Sequence, residues 1–99
     1  LGACAGAATS DAESLASFSQ GVVAYQGGDF TSARAQFART VVTAPRDPAA
    51  WSNLGTAAWG AADTAMAVVG WQRALRLAPA DGELRARLTA ALNTLPERQ

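Results

Sequence analysis

WSNLGTAAWG, Trp51–Gly60, reads as helix apart from the glycine in its middle. A glycine in an exposed helix interior costs about 1 kcal/mol relative to alanine, so Gly55 needs a reason to be there. Gly21 stands upstream of it in matching surroundings. The interval from Gly21 to Gly55 also separates Ala24 from Ala58, Asp29 from Asp63, Ala33 from Ala67, Phe37 from Trp71, Val41 from Leu75 and Pro45 from Pro79. A glycine that recurs in register with an aromatic, alanines and a proline has a packing role. It lets a second helix lie close to the first, where a side chain would hold the two apart.

Self-similarity at this period marks a helix-turn-helix repeat. Pro48–Asp81 carries Trp51, Leu54, Gly55, Ala58, Ala67, Trp71, Ala74, Leu75 and Pro79, and on these residues it resembles the tetratricopeptide repeat family. The resemblance implies an all-α fold: two antiparallel helix-turn-helix repeats, stacked as a short right-handed solenoid, with a C-terminal capping helix. The expected layout is an arm over residues 1–10, repeats over 14–47 and 48–81, a capping helix over 82–95 and a tail over 96–99. Ala50–Leu88 also resembles exported tetratricopeptide proteins of bacterial aerotolerance (Bat-type) operons, which implies a scaffold at the outer side of the inner membrane.

Local signals divide the chain into five helices. Ser10 and Glu13 have capping-box spacing, which predicts a first helix from about Asp11 to Gln26, stopped by Gly27 and Gly28. Asp29 caps a second helix over Phe30–Thr43, and Pro45 prevents its continuation. Asp47 caps a third, with Pro48 in the first turn where its missing N–H does no harm. Asp63 caps a fourth over Thr64–Leu77, and Asp81 caps a fifth over Gly82–Thr94. Four acids thus fall at helix starts, which makes them caps rather than a carboxylate cluster.

The two repeats differ at one edge. Ser17 and Gln20 stand where the second repeat has Trp51 and Leu54, and such polar residues suit the outer face of a terminal repeat. Leu84, Leu88, Ala91, Leu92 and Leu95 form an apolar stripe on the fifth helix, opposite Glu83, Arg85 and Arg87. The stripe reads as a cap laid on the second repeat. The alternative is a shortened third repeat, with Thr89 where the glycine would be.

Composition narrows the function. Eight acids balance eight bases, so no electrostatic argument favours nucleic acid. All the bases are Arg, and there is no His, which leaves no ready metal set, no imidazole base and no cofactor site. Gly27-Gly28 lacks the preceding strand and following Lys of a phosphate loop. A non-catalytic role is expected. Leu1, Gly2, Ala3 and Cys4 resemble a bacterial lipobox, which makes Cys4 a lipidation candidate. The same small residues suit the end of an ordinary signal peptide, or a plain arm. The first two readings imply an exported bacterial protein, periplasmic or lipid-anchored.

The family resemblance places a binding groove on the first helix of each repeat. It maps to Leu15, Phe18, Val22 and Tyr25, and then to Ala49, Ser52, Asn53, Thr56 and Trp59. The carboxylate-clamping branch of the family is matched only at Asn53 and Arg87, while Phe18, Val22 and Glu83 replace the other clamp positions. The groove is instead apolar and aromatic, which suits an amphipathic helix or an extended apolar segment of a protein partner. The competing reading makes Phe18 and Tyr25 core residues, or has the chain's own arm cover them. Trp71 is expected in the core and Trp59 at the groove. The function expected is a protein-binding scaffold, an accessory subunit of a membrane-associated complex; the alternative is a self-associating module forming homo-oligomers.

Overall fold

The computed structural model describes the backbone of residues 2–95 and the side chains of residues 12–95. These residues form five helices and no strand: α1 (Gly2–Gln26), α2 (Phe30–Thr43), α3 (Pro48–Gly60), α4 (Thr64–Leu77) and α5 (Gly82–Asn93). Each helix packs chiefly on its neighbours in the chain. None among the described residues is long and apolar enough to cross a membrane.

Local chemistry accounts for most helix ends. The side chains of Asp29, Asp47, Asp63 and Asp81 accept from the backbone N–H groups of Ser32, Ala49, Met66 and Leu84. Each satisfies a donor that the first turn would otherwise leave without a partner. The Ser32 backbone N–H, with further help from its side chain, holds the Asp29 carboxyl below the ordinary carboxylate range. A carboxyl lowered in the fold keeps its cap at neutral pH and loses it as the pH falls through the lowered value.

Two turns are built alike. After α1, the N–H of Gly28 donates to Tyr25 O and that of Asp29 to Ala24 O. After α3, Ala62 N–H donates to Trp59 O and Asp63 N–H to Ala58 O. Both are paired-bond helix stops whose central residue is left-handed. Gly28 takes φ +81° there without cost, but Ala62 takes φ 62° with a Cβ. Ala62→Gly should therefore stabilise the protein by about 0.5–1 kcal/mol, after discounting the added freedom of the unfolded chain. A thermal melt that moves down instead would show that the turn carries no strain.

The first helix departs from the sequence expectation. It opens at Gly2, not near Asp11, so Ser10 is an interior helical position and cannot cap. The segment expected as an arm has helical backbone from Gly2 onward. Its alanines are the best helix formers and no proline interrupts them. At the other end, α5 stops at Asn93 and Thr94 is its C-cap.

The core is made mostly of small side chains. Ala33, Phe37 and Val41 of α2 meet Ala50, Leu54 and Ala57 of α3. Ala58, Ala67, Trp71 and Ala74 form a second cluster with Leu84 and Ala91 of α5, and Trp51 packs against both clusters. Small residues let the helix axes approach. A Cβ on Gly21 would lie 2.6 Å from the Phe37 ring, and one on Gly55 2.6 Å from the Trp71 ring. Gly70, which the sequence pattern does not single out, faces backbone instead of a side chain: its Cβ would lie 2.8 Å from the backbone N of Gly55.

The stripe on α5 is only partly covered. Leu84 and Ala91 are buried and Leu88 is half-buried, but Leu92 is 43% exposed and Leu95 40%. The expectation that all five lie on the second repeat is corrected. A single helix laid on α4 can bury one stripe, and Leu92 and Leu95 fall outside it.

Candidate functional site

Three hollows join along the face where α1, α3 and α5 converge. The first, about 250 Å³, includes Leu15 and Phe18 of α1 and Ala49 and Asn53 of α3. The second, about 330 Å³, is lined by Val22 and Tyr25 of α1 and Asn53 and Thr56 of α3, with Phe37 among its other walls. The third, about 320 Å³, is lined by Tyr25, Thr56, Trp59 and Trp71 together with Arg87 of α5. Asn53 is shared by the first two hollows, and Tyr25 and Thr56 by the last two, so they form one trough. The structure thus brings Leu15, Phe18, Val22, Tyr25, Asn53, Thr56 and Trp59 to a common surface. Ser52, also expected there, is half-buried and lines none of the three.

The aromatic residues of the trough are held from below. Phe18 is 41% exposed and its ring centroid lies 6.2 Å from that of buried Phe37. Tyr25 packs edge-on against Phe30 at 5.1 Å. Trp59, 43% exposed, lies 5.9 Å from Trp71, which is 4% exposed. Each open ring therefore rests on another aromatic, which limits its motion and presents one face to solvent. Phe18 and Tyr25 are neither full core residues nor free surface. The reading that puts them in the core is thereby corrected to half-exposed rings, Phe18 against buried Phe37 and Tyr25 against half-buried Phe30.

A polar relay closes the α5 end. The Thr56 hydroxyl donates to Ser52 O at 3.0 Å and accepts from Trp71 Nε1 at 3.4 Å and Arg87 Nη1 at 3.2 Å. The second guanidinium nitrogen of Arg87 pairs with Glu83 at 2.6 Å. Arg87 thus ties α5 to α3 and sets one end of the trough. The sequence marks it only as one of two matches to a clamp, and the threonine that anchors it carries no sequence signal of that role. Cys4, the lipidation candidate, lies outside the described side chains.

Chemically the trough offers aromatic faces, methyl and methylene surface, the amides of Gln26 and Asn53, the hydroxyls of Ser14, Tyr25, Thr40 and Thr56, the Asp47 carboxylate already capping α3, and the Arg87 guanidinium already paired. No group of three or more His, Cys, Asp or Glu side chains among the described residues is placed to share a metal ion. No protein-family model and no curated protein matches the chain.

Proposed function

We propose that this chain is a tetratricopeptide-type helical-repeat module, without catalytic activity, that holds a segment of a partner protein in the trough between α1, α3 and α5. The observation that carries the reading is the trough itself, with half-exposed Phe18, Tyr25 and Trp59 along a continuous concave face. Trp and Tyr are among the side chains that most often dominate binding energy at interfaces. The repeat reading is supported by features that recur at the interval of the sequence repeat: Gly21 under Phe37 and Gly55 under Trp71, the two paired-bond turns, and Trp51 Nε1 and Arg85 Nη2 donating to Pro45 O and Pro79 O.

The segment that fits is apolar and long enough to run along several helices, either an amphipathic helix or an extended strand of chain. The paired state of Arg87 argues against a trough built around a free carboxylate. The test is a panel of amphipathic-helical and extended apolar peptides, mapped by backbone amide shifts. Binding should centre on Val22, Tyr25, Asn53, Thr56 and Trp59; Tyr25→Ala should weaken it about tenfold or more and Trp59→Ala about thirtyfold or more. Binding indifferent to both substitutions would sink the proposal.

A further inference from the structure

A separate hollow of about 490 Å³ opens on the outer side of α1 and α2, among Ala16, Ser17 and Gln20 of α1 and Arg39, Val42 and Thr43 of α2. It shares no lining residue with the trough. Its counterpart between α3 and α4 is filled by the chain itself. Trp51 packs against both core clusters, and the guanidinium carbon of Arg73 lies 5.0 Å from its ring centroid. Ser17 and Arg39 occupy the same places one repeat earlier. The outer hollow therefore keeps the arginine and replaces the indole with a hydroxymethyl group.

The surroundings suit a ring rather than water alone. Val42 is 79% exposed on the hollow's wall, and Thr43 and Ala16 add methyl surface. Arg39 makes no ion pair with any described residue, so its guanidinium is available to a π face. Glu13, which also lines the hollow, supplies an acceptor for an indole N–H.

We propose that this hollow binds an aromatic side chain presented by a partner protein, tryptophan best of all, with Arg39 over the ring as Arg73 lies over Trp51. The occupant enters from outside the molecule and takes the place that Trp51 takes from within. This contact is independent of the trough: a partner can use one without the other, or both at once to gain avidity.

Two measurements test it on the full chain. Ser17→Trp should raise the melting temperature by several degrees, and Arg39→Ala in that background should remove much of the gain. A lower melting temperature in Ser17→Trp with the fold retained would mean that the hollow does not fit an indole. The second measurement uses the unaltered sequence with N-acetyl-tryptophanamide as probe, followed by backbone amide shifts. Saturable millimolar binding should shift Ser17, Gln20, Arg39, Val42 and Thr43. It should weaken several-fold in Arg39→Ala, and N-acetyl-leucinamide should bind several-fold more weakly. Shifts confined to the trough, no saturable shifts at all, or equal binding of the leucine probe would overturn the proposal. An absence of saturable shifts, or equal binding of the leucine probe at the hollow, leaves the trough reading untouched.

Discussion

Gly70→Leu is expected to leave the chain without a cooperative thermal transition. A Cβ at this position would lie 2.8 Å from Gly55 N, 2.9 Å from Gly55 Cα and 2.9 Å from Trp51 O. All three are backbone atoms of α3, so no side chain can rotate out of the way. The helices must separate, and the second core cluster separates with them. Overpacking costs typically about 1–3 kcal/mol where side chains can adjust, and more where they cannot. A domain of this size has a total stability of only about 5–10 kcal/mol. Gly55→Leu should do nearly as much damage, because its side chain would collide with the Trp71 ring. Gly82→Ala is the control: a Cβ there meets nothing within 4 Å, and its melt should stay close to that of the unaltered chain. Circular dichroism melts of the three variants decide the matter. A normal transition in Gly70→Leu would refute the close approach of α3 and α4.

Trp71→Ala should cost about 3–5 kcal/mol of stability, whereas Trp59→Ala should cost about 1 kcal/mol. The two rings touch, yet their settings differ. Trp71 is 4% exposed, fills the space that Gly55 leaves open, and donates to Thr56. Its loss opens a cavity in a core otherwise made largely of alanines, which have no reach to fill it. Trp59 lies over Trp71 on the solvent side, so its removal forfeits one aromatic contact and some apolar cover. The effects on binding should run the other way: with the fold intact, Trp59→Ala should lose about 2 kcal/mol or more of partner affinity. Denaturant titrations of both variants, paired with peptide binding for Trp59→Ala, separate the two roles. Equal destabilisation would make Trp59 a core residue and remove the aromatic wall of the trough.

The sequence contained most of the local structure because helix ends here are short-range events. An Asp side chain meets an N–H two or three residues on, and a glycine turns the chain at a single φ. Four of the five helices accordingly begin where an Asp predicts. The repeat interval also carried tertiary information, since Gly21 and Gly55 each lie under the aromatic that travels with them. Apart from Ser52, the residues that the family resemblance assigns to a groove share one surface, a placement that composition and periodicity do not supply.

What remained hidden depends on neighbours distant in sequence. An alanine run says nothing about where a helix begins when no cap interrupts it, so α1 opened at Gly2 rather than at the Ser10–Glu13 spacing. Ala62 looks like any other alanine until the turn imposes its positive φ. Gly70 has no counterpart glycine one sequence interval earlier, where Gln36 stands, so its close approach to the α3 backbone left no periodic signal. Leu92 and Leu95 share a stripe with Leu84 in the sequence, but a helix laid on one partner buries only the arc that partner can reach. Helix type and the four Asp-capped starts were thus set by the sequence through contacts a few residues long. Which faces are covered, which rings stand half-open along the trough and which hollow is left unfilled were decided only when α1 to α5 packed together, because burial is a property of the neighbour as much as of the residue.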